Sequence, residues 1–134
     1  MKKKVLILCT GNSCRSIIAE ALINAKMGDC IHADSSGVKA SGRVNPNARH
    51  VLEKHSIWRD DYHSKTLDTV IDKPYDLIVT VCDNAKETCP IFPKPVNTIH
   101  VGFEDPDGRP LKAFYETLEL IEKELLPIIK KELC

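Results

Sequence analysis

Two short and almost wholly apolar runs, VLILC at 5–9 and DLIVTV at 76–81, constrain the fold of this 134-residue chain most strongly. Runs of this length between polar segments are typical of strands buried on both faces, as inside a parallel sheet. Residues 16–27 and the stretch that begins at Leu111 instead repeat apolar residues at helical spacing. Strands that alternate with helices predict an α/β fold. We expect a single domain over 1–134, with a doubly wound sheet of four parallel strands flanked by helices.

Weaker local signals complete this pattern. Residues 30–35 and 97–101 are further strand candidates, and Gly28 is a plausible stop for the first helix. Asn45 followed by Pro46 predicts the start of another helix, with the asparagine as N-terminal cap and the proline in the first turn.

Charge and hydropathy exclude several classes of function. Nineteen basic residues balance nineteen acidic ones, which argues against a general nucleic-acid or membrane-surface binder. No apolar stretch approaches the roughly 20 residues that span a bilayer. The apolar run near the N-terminus is shorter than that of a secretory signal. We therefore expect a cytoplasmic monomer that contacts neither nucleic acid nor membrane.

Six cysteines need an explanation in such a chain, because structural disulfides do not persist in the cytosol. Buried packing, a metal site, and redox or nucleophilic chemistry are the remaining roles. Cys9 and Cys82 each follow an apolar strand at its carboxyl end. Ligands of open parallel sheets bind beyond these strand ends, so the two thiols are predicted to share a site.

The segment from Cys9 to Arg15 has the composition of an oxyanion cradle. A polar loop between a buried strand and a helix start directs backbone N–H groups inward, and the helix terminus adds partial positive charge. Arg15 can bind two oxygens of a tetrahedral anion, and the same field stabilises a thiolate at Cys9. The simpler alternative, a buried strand end followed by a surface arginine, accounts for less of this context. The predicted oxyanion-binding residues are Thr10, Gly11, Asn12, Ser13, Cys14, Arg15 and Ser16.

The sequence CTGNSCRS, followed by Ala19 and Glu20, resembles the phosphate-binding loop of low-molecular-weight protein tyrosine phosphatases and of the arsenate reductases that share their fold. The resemblance extends over nearly the whole chain, through NPNA, LIVTVC and GFEDP. It implies that Asp105, which precedes Pro106, is the general acid.

The arsenate reductase resemblance also implies a relay of thiols. Cys9 would attack arsenate, Cys82 would attack the Cys9 sulfur, and Cys89 would displace Cys9 to leave a Cys82–Cys89 disulfide. An external dithiol protein such as thioredoxin would reduce that disulfide, and glutathione with glutaredoxin stays open. No bound cofactor and no metal are expected, because C-x4-C and C-x6-C spacings differ from those of structural zinc sites.

Two alternatives to a reductase remain. A phosphatase acting on phosphotyrosine or aryl phosphates would need only Cys9, Arg15 and Asp105. Phosphatases of this fold usually carry an aromatic residue after the Asp-Pro pair, whereas this chain has Asp107, so aryl phosphates should be poor substrates. A noncatalytic oxyanion-binding or redox-sensing module is the third possibility. Phosphate and sulfate are expected to compete with arsenate for the cradle.

Some arsenate reductases of this type bind potassium beside the loop. Asn12, Glu20 and Ser35 match ligands of that site, but Lys65 lies where an aspartate would be expected. Our hypothesis is that the Lys65 ammonium supplies the positive charge and makes potassium dispensable.

Three cysteines have no part in this scheme. Cys14 is expected to pack within the loop, Cys30 to be a small apolar strand residue, and Cys134 to be an exposed and incidental thiol.

Overall fold

The computed structural model describes residues 2–83 and 91–134 of the chain. Its elements follow the predicted alternation of strands and helices. They are β1 (Lys3–Cys9), α1 (Arg15–Met27), β2 (Ile31–Gly37), α2 (Pro46–Lys54), a 3-10 helix (Leu67–Thr69), β3 (Leu77–Thr80), β4 (Thr98–His100) and α3 (Leu111–Leu133). Among the described residues, no helix is both long enough and apolar enough to cross a membrane.

The four strands form one parallel sheet in the order β2-β1-β3-β4. This confirms the predicted fold class. β1 lies at the centre because both of its neighbours pair along it, and the pairing of Leu8 with Thr80 sets its register against β3. Cys9 is therefore level with Val81, and Cys82 follows one residue beyond.

Both faces of the sheet are covered, which explains the continuous apolar runs. Val5, Ile7 and Cys9 face a large core that includes apolar residues of all three α-helices. Leu6 and Leu8 face a smaller cluster on the opposite side. The members of this second cluster are Leu6, Leu8, Val70, Tyr75, Ile78 and Phe92.

Helix boundaries follow the predicted signals closely. Gly28 is the C-cap of α1, and the Asn45 side chain caps α2 by accepting a hydrogen bond from the Asn47 N–H at 2.8 Å. The C-terminal helix continues through Pro127.

The expectation for Cys30 and Cys134 was wrong. The two residues form a disulfide that joins positions 104 residues apart, with their Cα atoms separated by 6.6 Å. Cys30 lies just before β2 rather than inside it, and α3 ends beside that position. The pairing therefore depends on the position in space at which α3 ends, which no local sequence pattern specifies.

Candidate active site

The loop between β1 and α1 surrounds a pocket of about 250 Å³ at the carboxyl end of the sheet. Its walls combine the predicted cradle with three residues from elsewhere in the chain. The lining residues are Cys9, Thr10, Gly11, Ser13, Cys14, Arg15, Ser41, Asp105 and Asp107.

The segment 38–45 fixes the orientation of the loop from outside. Four of its N–H groups donate to loop carbonyls, and a planar trans peptide that directs its carbonyl outward directs its N–H inward. The loop N–H groups of residues 10, 11, 12 and 14 therefore turn toward the pocket, as an oxyanion site requires. The four bonds are Val38 N–H to Cys9 O (3.3 Å), Lys39 N–H to Thr10 O (2.9 Å), Ser41 N–H to Gly11 O (2.9 Å) and Asn45 N–H to Ser13 O (3.0 Å).

Gly37 permits this contact, and sequence analysis did not single it out. A Cβ atom at Gly37 would lie 2.4 Å from the Thr10 carbonyl oxygen and 3.1 Å from the Asn12 Cβ. The loop also needs a left-handed residue, and Asn12 supplies it with φ 48°. Asparagine tolerates that conformation better than most residues, as the sequence predicted.

Cys9 and Arg15 lie together at the base of the pocket, with only 2% and 3% of their surfaces exposed. The Arg15 guanidinium donates through Nη1 to the Phe103 carbonyl at 3.1 Å. Its Nη2 lies 3.6 Å from Oδ2 of Asp105, whose carboxylate is half exposed. A buried cation is thus held in the pocket between the Phe103 carbonyl and the Asp105 carboxylate.

Cys14 lines the same pocket. Burial raises the pKa of the Cys14 thiol to about 12, although the nearby Ser13 hydroxyl opposes that shift. The thiolate is the nucleophilic form of cysteine, so Cys14 remains an unreactive thiol near neutral pH. Its contribution to the cradle is the backbone N–H.

A buried polar network lies behind the loop. Asn12 Nδ2 donates to the hydroxyls of Ser16 (2.8 Å) and Ser35 (2.9 Å). The Ser35 hydroxyl in turn donates to Glu20 at 2.6 Å. Burial raises the pKa of Glu20 to about 7, while the Lys65 charge and the Ser35 hydrogen bond oppose the shift. The network holds the loop against α1 and β2.

These residues are the predicted monovalent-cation neighbourhood, and their bonding differs from that of a cation site. The Lys65 backbone N–H donates to Asn12 Oδ1 at 2.8 Å, which fixes the amide so that its NH₂ group faces the two serines. A cation needs oxygen ligands, whereas Asn12 presents donors there. The Lys65 ammonium itself contacts the His63 carbonyl at 3.4 Å. The described residues therefore form a closed hydrogen-bond network that does not fit potassium.

Cys82 lies just beyond the end of β3 and is fully buried. Its sulfur is in a disulfide, whereas Cys9 and Cys14 are free thiols. Strand pairing brings Cys82 to the edge of the sheet that carries Cys9. Cys82 is not among the residues that line the pocket, so a site shared by the two thiols stays a prediction. Cys89, the other predicted relay residue, lies outside the described residues.

Within 2–83 and 91–134, no group of three or more histidine, cysteine, aspartate or glutamate side chains is arranged to hold a metal ion.

A parallel α/β sheet with a buried thiol and arginine in an oxyanion loop defines a class of enzymes that form covalent thiol adducts with tetrahedral oxyanions. The chain belongs to the low molecular weight phosphotyrosine protein phosphatase family, whose model matches residues 4–133. The arsenate reductase of Brevibacillus brevis is 42% identical over 113 residues, which are 84% of each chain.

Solved structures of an arsenate reductase and of a phosphatase have folds similar to that of this chain. An arsenate reductase from Archaeoglobus fulgidus superposes with a TM-score of 0.83 at 30% identity, covering 94% of this chain and 98% of its own. A low molecular weight protein tyrosine phosphatase from T. tengcongensis gives a TM-score of 0.80 at 28% identity, covering 97% and 99%. The resemblance inferred from the loop motif is thus confirmed.

Proposed function

We propose that this protein reduces arsenate to arsenite with its own thiols and is then regenerated by an external dithiol. One structural observation carries the proposal. The central strand ends in Cys9 within an oxyanion cradle, and the strand paired with it leads directly into Cys82. Adjacent strands are about 4.8 Å apart, which supports a second thiol close to the first.

The first step joins Cys9 to arsenic. The cradle N–H groups and Arg15 bind the arsenate oxygens, and the Cys9 thiolate attacks the arsenic atom. A sulfur–arsenic bond forms while one arsenic–oxygen bond breaks. Asp105 protonates the departing oxygen, which leaves as water. Arsenic remains pentavalent in this adduct.

The second step transfers electrons. The Cys82 thiolate attacks the Cys9 sulfur, a disulfide forms, and the electron pair of the sulfur–arsenic bond stays on arsenic. Arsenic(V) becomes arsenic(III), and arsenite leaves. Two thiols have then supplied the two electrons.

The third step frees Cys9 for another turnover. The Cys89 thiolate attacks the Cys82 sulfur, and Cys9 departs as a thiolate stabilised by Arg15 and the cradle. A free Cys9 thiol together with an oxidised Cys82 is the combination expected after this exchange. We propose thioredoxin as the dithiol donor, without a bound cofactor, acting on a cytoplasmic monomer.

Coupled NADPH oxidation with thioredoxin and thioredoxin reductase tests this function. We expect arsenate-dependent turnover in the natural protein and its loss in Cys82→Ser and in Cys89→Ser. Cys14→Ser serves as the matched control, because a thiol whose pKa is about 12 has no role in the exchange. Single-turnover arsenite release separates the two relay cysteines: Cys89→Ser should release arsenite once, whereas Cys82→Ser should release none. Arsenate turnover that survives Cys82→Ser would refute the relay.

Aryl phosphate hydrolysis is the second candidate function. The contact between Arg15 and Asp105 supports it, because a phosphatase of this family needs only these two residues and Cys9. Hydrolysis that is fast and insensitive to Cys82→Ser, in a protein that does not consume arsenate, would favour this candidate.

A further inference from the structure

At the rim of the pocket, a hydrogen bond joins two segments that are far apart in sequence. Asn45 Nδ2 donates to Asp107 Oδ1 at 2.7 Å. Asn45 ends the 38–45 segment that fixes the loop from outside, and Asp107 lines the pocket. The bond therefore ties a lining residue of the pocket to the segment that holds the loop.

Asn45 is held rigidly on its own side. Its backbone N–H donates to Ser13 O, and its carbonyl accepts from the Arg49 N–H at 3.0 Å. Its side-chain oxygen accepts from the Asn47 N–H as the cap of α2. An N–H can only donate, so this cap fixes Oδ1 and leaves Nδ2 directed to Asp107.

Asp107 is in turn coupled to the acid. Its backbone N–H donates to Asp105 Oδ1 at 3.0 Å, while the other carboxylate oxygen of Asp105 faces Arg15. The turn is closed by Gly108 at φ 81°. A continuous chain of polar contacts thus runs from Asn45 through Asp107 and Asp105 to Arg15.

We propose that the Asn45–Asp107 bridge is a specificity device that admits free inorganic oxyanions and excludes phosphate esters. The inference rests on the proposed function and names the substrate class of the same site. In-line attack by Cys9 requires the leaving group on the opposite side of the tetrahedral centre. In arsenate that group is a single oxygen, which stays inside the pocket. In an ester it carries the whole alcohol, which must pass the Asp107 side chain that Asn45 holds at the rim.

Three variants distinguish the effect of the Asn45–Asp107 hydrogen bond from the effect of the Asp107 charge. Asn45→Ser keeps a good helix cap but is too short to reach Asp107. Asp107→Ala removes both the bridge and the carboxylate. Asp107→Asn removes the charge while its amide oxygen still accepts from Asn45. Asp72→Ala is the control, because it makes the same charge change at a 94% exposed position.

The experiment measures kcat and KM for p-nitrophenyl phosphate and, independently, the protection of Cys9 from iodoacetamide by arsenate and by phenyl phosphonate. We expect Asn45→Ser and Asp107→Ala to raise kcat/KM for the aryl ester about tenfold through a lower KM. Phenyl phosphonate protection should improve in parallel, while arsenate protection changes less than about twofold. Asp107→Asn and Asp72→Ala should behave as the natural protein does.

Two results would overturn the proposal that this hydrogen bond sets substrate specificity. The first is equal gains in Asp107→Asn and Asp107→Ala, which would assign the effect to charge alone. The second is unchanged aryl ester kinetics in both bridge-breaking variants, since neither then opens the rim. Cys9 protection needs no reduction of arsenate, so a failure of the reductase proposal is read separately, in the coupled assay.

Discussion

The Arg15 guanidinium lies 3.6 Å from the Asp105 carboxylate across the pocket that holds Cys9. Arg15 is buried whereas Asp105 is half exposed, so solvent reaches the carboxylate but not the guanidinium. In the proposed mechanism the pair therefore divides two tasks, anion binding by Arg15 and proton delivery by Asp105.

Asp105→Asn should slow the first chemical step without weakening oxyanion binding. A positioned general acid contributes about 10²- to 10⁴-fold to rate, so we expect a loss in that range. The measurement is single-turnover arsenite release, with arsenate protection of Cys9 as the binding readout. Asp72→Asn, a fully surface change, is the control. A natural rate of release in Asp105→Asn would remove the acid from the mechanism.

Gly37→Ala should disrupt the cradle although Gly37 does not line the pocket. The new Cβ would lie 2.4 Å from the Thr10 carbonyl oxygen, so the loop must shift. We expect arsenate protection of Cys9 to weaken at least about tenfold, because oxyanion sites depend on fixed donors. Gly42→Ala provides a comparison: its φ of 86° strains the backbone, but no atom lies within 4 Å of the added Cβ. Equal losses in both variants would assign the effect to backbone strain rather than to the close approach.

Stability should depend on pH through Glu20. Its pKa is about 7 in the fold, raised by burial from an ordinary value of 4.5, so the folded chain keeps a proton that the unfolded chain releases. The unfolding free energy therefore falls as pH rises from 4.5 to 7 and is level above that window, and the total change is about 3 kcal/mol.

Glu20→Gln tests this dependence because the amide oxygen still accepts from Ser35 and cannot ionise. We compare the unfolding free energies of the variant and the natural protein by urea denaturation at about pH 5 and at about pH 8. The variant should be more stable relative to the natural protein at the higher pH than at the lower one. Glu119→Gln, at an exposed position, should show no such gain. A stability difference between Glu20→Gln and the natural protein that is equal at both pH values would contradict the role of Glu20.

Turnover should not depend on potassium. The Asn12 amide presents its NH₂ group to Ser16 and Ser35, and the Lys65 charge acts on Glu20. Coupled assays in potassium chloride and in sodium chloride at equal ionic strength should therefore agree. A several-fold higher turnover in potassium would show that the network rearranges to bind the ion.

The Cys30–Cys134 disulfide should stabilise the fold without taking part in the relay. Closing a loop of this length restricts the unfolded chain, and the entropic estimate is about 4 to 5 kcal/mol. Cys134→Ser should lower the unfolding free energy in oxidising buffer and should match the natural protein after reduction with dithiothreitol. Its coupled arsenate turnover should be unchanged, and a loss of turnover would link this disulfide to electron transfer.

The strands and the cradle were predictable because their signals are local. VLILC and DLIVTV are continuous apolar runs of the kind that a doubly covered parallel sheet produces, and the loop motif lies between a strand and a helix. Asn45 was likewise predictable as a cap, because capping depends on residues within one turn.

The remaining features depend on contacts between distant segments. Gly37 matters only because Thr10 approaches it, and Asn45 acquires its second partner only when Asp107 arrives from the loop after β4. The Cys30–Cys134 disulfide depends on where α3 ends. No periodicity or spacing in the sequence predicts contacts between such distant segments, which is why sequence analysis gave Cys134 an incidental role.

The pairing of β1 with β3 has a consequence for how this protein can tolerate change. The separation between the ends of two paired strands is set by backbone hydrogen bonds, not by the length of chain that connects them. Extra residues in the exposed 72–74 turn would lengthen that path and leave Cys9 and Cys82 at the ends of neighbouring strands. Outer segments can therefore be exchanged or extended while strand pairing keeps the two cysteines of the proposed relay at the same edge of the sheet.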